Sequence, residues 1–194
     1  MPEWFSAWAV PAGAGVCLAA ACGFRTFIPL LTVALASRAG VYSLDAHYSW
    51  LATTAGLVTL TTAAVAEVAA YYIPVVDHAL DVIATPLATL AGVLAMFTSI
   101  GSDHGMLGWL VALVLGGGMA SAVQLTTVKA RLVSLGTTAG IGNPLVATAE
   151  LIGAGVLSVI AMLLPLLATV IAVTLVAALV IIVRALRRRA ARAY

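Results

Sequence analysis

Long apolar stretches, separated by short polar or Gly/Pro-containing breaks, occupy almost the whole chain. We place six of them, at residues 7–36, 50–71, 79–97, 106–128, 144–164 and 166–183. A helix needs about 20 largely apolar residues to cross a hydrocarbon core about 30 Å thick, so five of the six stretches have the length of one span. The pattern predicts an all-α, polytopic membrane helix bundle with about six transmembrane segments.

The composition excludes a soluble domain beside these spans. Of the 194 residues, 63% are hydrophobic and 8% are charged, whereas soluble domains carry about 25% charged residues. We therefore expect a single transmembrane domain over residues 1–194, with 1–100 and 101–183 as its halves if it is duplicated. Residues 184–194 would form a basic cytoplasmic tail.

The distribution of basic residues predicts the orientation in the membrane. Five of the nine basic residues lie in the last eleven positions, namely Arg184, Arg187, Arg188, Arg189 and Arg192. Cytoplasmic loops carry an excess of Lys and Arg, and six spans place the loop with Lys129 and Arg131 on the same side as this tail. Both termini are then cytoplasmic, and the tail contacts anionic lipid head groups rather than nucleic acid.

Six spans divide into three and three, which gives halves of opposite orientation, as in inverted-repeat transporters. Glycine runs at residues 13–15 and 116–118 open the two halves. Glycine-rich helices pack closely whether or not they are duplicated, so a 3+3 inverted repeat and simple close packing both remain open. A chain of this size favours a homodimer as the working unit.

The first apolar stretch predicts a broken helix. It is too long for one straight span and carries Gly23, Arg25 and Pro29 near its middle. Proline donates no hydrogen bond to the carbonyl four residues earlier, and a guanidinium at membrane depth needs a protein partner or a water-filled cavity. Arg25 is therefore either a solute-binding group or a structural tie across the break.

The second span carries an acid close to its end. Glu67 is followed by Tyr71 and Tyr72, which we interpret as residues of the interfacial aromatic belt. Burial disfavours the charged form of a carboxyl group, whereas a nearby Arg favours it. Glu67 is thus a proton carrier or the fixed counter-ion of Arg25.

The third span begins with two carboxylates that flank an imidazole. Asp77, His78 and Asp81 could bind a cation, but Asp77 is equally suited to cap the helix and Asp81 to stabilise its first turn. The set is incomplete as a metal site. Pro86 lies inside this span, so the third helix is a second candidate for a broken helix.

The second half holds one further polar group of residues. Gln124, Lys129 and Arg131 form a polar end to the fourth span, and Asn143, followed by Pro144, is expected to cap the fifth. Glu150 lies two turns into that helix and is the natural partner of Arg131. A helix start beside Arg131 could hold an anion or could simply anchor the loop.

No sequence pattern of a nucleotide-binding, hydrolase or metalloprotease site is present. We therefore expect no enzyme, no catalytic residues, no metal site and no cofactor.

Three motifs resemble a family of small bacterial membrane proteins classified only as a domain of unknown function. In chain order they are Gly23-Phe24-Arg25-Thr26-Phe27-Ile28-Pro29-Leu30, then Ile73-Pro74-Val75-Val76-Asp77-His78-Ala79-Leu80-Asp81 after Glu67, then Gly142-Asn143-Pro144-Leu145-Val146 before Glu150. The resemblance implies the bacterial cytoplasmic (inner) membrane but no activity. The chain departs from the family pattern at Tyr71-Tyr72, Ala84-Thr85-Pro86 and Gln124. If the polar residues usual at these positions form a site in its relatives, the resemblance implies that this chain has lost part of that site.

Two functional hypotheses follow from these residues. The first is a small-solute or ion transporter or channel whose site includes Arg25 and Glu67, with Asp77, His78 and Asp81 at the cytoplasmic mouth, because ionisable residues at membrane depth lie beside helix breaks. The second is a membrane scaffold or lipid-associated protein in which the same charges are structural ion pairs.

Overall fold

Eight α-helices account for most of the described chain. The computed structural model describes residues 8–101 and 105–191, with their side chains except at 74–82, 182–183 and 185–191. The helices are α1 (Val10–Phe24), α2 (Phe27–Arg38), α3 (Thr54–Tyr71), α4 (Pro74–Ile100), α5 (Gly105–Val111), α6 (Gly118–Thr138), α7 (Asn143–Leu163) and α8 (Pro165–Ala191). A 3-10 helix, Ala46–Ala52, precedes α3, and a π-helical segment, Ala112–Gly117, joins α5 to α6. These two ranges contain no β-strand, which confirms the all-α prediction.

Four helical segments of the described chain are long and apolar enough to cross a membrane. They are Thr54–Tyr71, Ile83–Ile100, Gly105–Thr138 and Asn143–Leu163. Three shorter apolar helices, Val10–Phe24, Phe27–Arg38 and Pro165–Ile181, accompany them. These helices indicate a membrane protein, while the count of six spans remains a prediction.

Helix α1 lies at the centre of the bundle, where α4, α6, α7 and α8 pack around it. Every residue from 13 to 23 is buried. Glycines permit this packing, because a Cβ on Gly13 would lie 2.3 Å from Thr169 Oγ1 and one on Gly23 would lie 2.5 Å from the Ala120 carbonyl oxygen. Small residues bring helix backbones together in this way in membranes.

The first helix is broken, as predicted, at Arg25 and Thr26, which we call the helix break. Arg25 adopts an extended conformation (φ −144°, ψ 120°) between α1 and α2. Pro29 lies in the first turn of α2 and not in the break itself. The first amides of a helix have no intrahelical partner, so a proline there costs no hydrogen bond.

Helix α4 corrects two expectations about the third span. It runs through Pro86 as one helix of 27 residues, so the third helix is not broken. A single missing amide leaves the hydrogen-bond ladder on either side in place. The helix also begins at Pro74, with Ile73 as its N-cap residue, so Asp77 is not the cap and Asp81 lies beyond the first turn.

The loop expected at residues 129–143 is mostly helical. Helix α6 continues to Thr138, and the reversal of the chain takes only four residues, with Ala139 at φ 51° and Gly140 at φ 87°. The Thr138 hydroxyl accepts from the Gly142 amide at 2.9 Å. Helix α7 then begins at Asn143 without a side-chain cap, so the expected Asn143 cap is wrong, while Pro144 does lie in the first turn.

Candidate functional site

The guanidinium of Arg25 is held inside the bundle. Arg25 is 1% exposed, and its Nη2 donates to the Ala147 carbonyl oxygen at 2.9 Å. The same nitrogen lies 3.3 Å from Glu150 Oε2. Because residue 25 interrupts α1, its side chain is carried by a non-helical residue at the core of the bundle, and both of these partners belong to α7.

Arg131 on α6 shares the carboxylate of Glu150. Its Nη2 donates to Glu150 Oε2, the same oxygen that Arg25 approaches. Arg131 is 2% exposed and Glu150 4%. The expected pairing of Arg131 with Glu150 is therefore present, and one carboxylate oxygen serves two guanidinium groups from different helices.

Tyr71 at the end of α3 completes this group. The guanidinium carbons of Arg25 and Arg131 each lie 4.0 Å from the centroid of the Tyr71 ring, which is the geometry of a cation–π contact. We call Arg25, Arg131, Glu150 and Tyr71 the polar cluster. Tyr71 is 4% exposed, so the prediction that it belongs to an interfacial belt is wrong.

Glu67 on α3 binds the start of α2 instead of Arg25. Its Oε1 accepts from the Thr26 amide at 2.7 Å, and its Oε2 accepts from the Phe27 amide at 3.1 Å. The first amides of a helix lack acceptors and form the positive end of its dipole, so a carboxylate there is strongly favoured. The ion pair that Arg25 makes within the described chain is with Glu150, so Glu67 is not its direct partner, and the proton-carrier role of Glu67 stays a prediction.

Arg25 retains donors that no group of the described chain satisfies. Its Nε and Nη1 atoms are buried and make no hydrogen bond. The Nε2 atom of Gln124, a residue that is 2% exposed, is likewise buried without an acceptor. A buried donor without an acceptor costs about 1–3 kcal/mol, and more when it is charged. The side of Arg25 away from Glu150 is therefore suited to a group that supplies lone pairs.

A cavity of about 290 Å³ lies against the helix break between α2, α3 and α4. Thr26, Phe27, Glu67 and Tyr71 line it, together with alanines and two larger apolar side chains from α4. Tyr71 therefore touches the cavity as well as both guanidinium groups. Arg25 itself is not among the residues that line the cavity.

The remaining predicted residues fall in two groups. Asn143 is buried on the face of α7 that also carries Ala147 and Glu150, so it belongs to the helix face of the polar cluster. Asp77, His78 and Asp81 lie in α4, but their side chains are outside the described ones, and their expected cation binding stays a prediction.

Sequence reasoning missed Tyr71 and Gln124 as parts of the buried polar interior. Tyr71 follows Glu67 by four residues, and residues four apart share one face of a helix. That spacing was the available signal for Tyr71. Gln124 and Arg131 are two turns apart on α6 and both buried, so the same argument applies to Gln124.

The comparisons with known proteins return one family. No curated protein and no solved structure matches the chain. One family model, described as Domain of unknown function (DUF4126), matches residues 12–185. This range contains the helix break and every residue of the polar cluster. The chain belongs to this family of unknown function.

Proposed function

We propose that the protein is a small-solute or ion transporter or channel whose intramembrane site lies at the helix break. The observation that carries this proposal is the buried guanidinium of Arg25, whose Nε and Nη1 atoms have no acceptor in the described chain. Ionisable residues at membrane depth usually face a substrate pathway or a protein partner. The protein holds Arg25 in place through its Nη2 atom, which lies beside Glu150. The Nε and Nη1 donors remain for binding a solute.

The proposed arrangement in the membrane has six spans. Helices α1 and α2 together form one broken span, followed by α3, α4, the continuous α5–α6 segment, α7 and α8. Both termini are cytoplasmic in the bacterial inner membrane. A 3+3 inverted repeat is part of the proposal, on the ground that a glycine run opens each half, at residues 13–15 and 116–118.

Each polar residue has a distinct role in this proposal. Arg25 binds the solute, and Arg131 and Glu150 fix its position. Glu67 holds the start of α2 and thereby the shape of the helix break. Asp77, His78 and Asp81 form the cytoplasmic mouth, and no residue acts as a catalyst.

Osmotic swelling of proteoliposomes tests the proposal without a prior choice of solute. Vesicles with and without protein are diluted into a panel of small anions, cations and neutral solutes, and light scattering follows the volume. We expect faster entry of one class of solute, lost with Arg25→Gln and retained with Thr62→Ala, which alters an exposed hydroxyl of α3. Equal rates with Arg25→Gln in a folded protein would exclude a role for Arg25 in transport.

A second candidate is a non-catalytic scaffold or lipid-associated protein, acting as a homodimer. The observation in its favour is that Glu67 and Glu150 both bind neighbouring helices of the same bundle. In this case the Arg25→Gln protein would lose stability or self-association, while no solute would enter wild-type vesicles faster than empty ones.

A further inference from the structure

We infer that the solute is a small anion, and that Glu67 is a tethered carboxylate which occupies part of its binding site at the start of α2. This inference rests on the proposed transport function and specifies its substrate class. It also changes the role of Glu67, from a fixed cap to an exchangeable occupant.

The groups that meet at the helix break are hydrogen-bond donors. The amides of Thr26 and Phe27 point to one acceptor, which in this structure is the Glu67 carboxylate. One residue earlier, Arg25 carries buried Nε and Nη1 donors without an acceptor. The amides form the positive end of α2, and Arg is always charged in proteins. Such a set binds lone pairs and negative charge, and repels cations.

The surroundings of Glu67 leave room for exchange. The cavity of about 290 Å³ beside its carboxylate is lined on α3 by Ala63, Ala66 and Ala70. These side chains are small and leave open space beside the glutamate. The volume exceeds that of one water molecule several-fold and is large enough for a small ion, although most of the lining is apolar and its polar groups are those of Thr26, Glu67 and Tyr71.

Tyr71 lines this cavity, and its ring also contacts the guanidinium of Arg25. Tyr71 therefore connects the cavity, where an anion would displace Glu67 from the α2 amides, to the residue that carries unused donors. This arrangement supports a path from the cavity, past the start of α2, to Arg25.

Chemical rescue of Glu67→Ala tests the inference on the purified full-length protein. The variant removes the tethered carboxylate and leaves the two amides of α2 without it. Thermal unfolding is followed in sodium formate, nitrate or chloride, each exchanged against sodium gluconate at constant ionic strength. We expect the anion to stabilise Glu67→Ala in a saturable manner, because a ligand that binds only the folded state raises stability as it fills its site. The half-maximal effect should occur at an anion concentration at least about tenfold lower than in wild type.

Two further variants control for a general effect of the salts and for loss of folding. Thr62→Ala should respond as wild type does, because its side chain lies on the same helix away from the cavity. If Glu67→Ala does not fold, Glu67→Gln takes its place, because the glutamine amide binds the α2 amides more weakly than the carboxylate does. Formate or nitrate should still bind the Glu67→Gln variant more tightly than they bind wild type. A response no larger than that of wild type in the folded variant overturns the inference.

The swelling assay separates this inference from the proposed function. If anions rescue Glu67→Ala but no solute enters wild-type vesicles faster than empty ones, the anion site stands and transport is wrong. If a cation or neutral solute enters in an Arg25-dependent manner and no anion rescues Glu67→Ala, transport stands and the anion inference is overturned.

Discussion

Neutralising Arg25 and Glu150 should have unequal effects on stability, because the two residues have different numbers of partners. Glu150→Gln removes the carboxylate that both Arg25 and Arg131 approach. Breaking a buried ion pair by removing one partner costs about 3–5 kcal/mol, and here two guanidinium groups lose their counter-ion. Arg25→Gln leaves Glu150 paired with Arg131, so we expect it to cost about half as much. The double variant should cost less than the sum, with a coupling free energy of about 0.5–3 kcal/mol.

Reversible unfolding in mixed micelles would measure the free energies of unfolding of the wild type, the two single variants and the double variant. Gly155→Ala is a matched control on α7, since a Cβ at this position meets no neighbouring atom. We expect the loss in free energy of unfolding to be largest for Glu150→Gln, smaller for Arg25→Gln and smallest for the Gly155→Ala control. Equal costs for the two charge variants, or strict additivity in the double variant, would refute a carboxylate shared between two guanidinium groups.

Three further predictions concern packing, capping and the aromatic contact. Gly92→Ala should destabilise the protein by about 1–3 kcal/mol through overpacking, since the added Cβ would lie 2.6 Å from the Gly116 carbonyl oxygen. The control Gly118→Ala, whose Cβ meets no neighbouring atom, should be neutral or slightly stabilising in the same thermal unfolding assay. Thr53→Ala should cost about 1 kcal/mol by removing the acceptor of the Gly56 amide at the start of α3, and Thr53→Ser should restore it in the same assay. Tyr71→Leu should lower the free energy of unfolding by about 1–2 kcal/mol through loss of both cation–π contacts. Tyr71→Phe keeps the ring but loses the hydroxyl that hydrogen-bonds Arg131, so it should lower the free energy of unfolding by less in the same assay in mixed micelles.

Local signals in the sequence predicted the helix break and its chemistry. Gly23, Arg25 and Pro29 lie within an apolar stretch that is too long for one straight span, which predicted a break, and the structure breaks at Arg25 and Thr26. The pairing of Arg131 with Glu150 followed from the short distance along the chain between the end of α6 and the start of α7. These features depend on backbone rules and on residues close in sequence, which a single sequence contains.

Contacts between distant helices could not be predicted from the same patterns. The partner of Arg25 depends on how α3 and α7 rotate against the helix break, and both helices carry one acid at a similar depth. The sequence therefore favoured Glu67, while the structure places Glu150 within 3.3 Å of Arg25. The burial of Tyr71 could not be predicted for the same reason. An aromatic residue at the end of a span can lie at the membrane interface or against a buried cation, and the packing of distant helices decides between the two.

The energetic cost of the polar cluster is itself an argument for a binding role. Replacing a buried ion pair by apolar residues of similar volume is often neutral or stabilising by about 1–4 kcal/mol. A bundle that needed only to hold α1 in place could do so with the alanines and glycines that already surround it. The protein instead keeps two guanidinium groups on one carboxylate oxygen, and Arg25 holds donors without acceptors in the described chain. Under the proposed transport function, this cost is retained because Arg25 binds the solute, and the cavity lined by Glu67 and Tyr71 is the candidate way in.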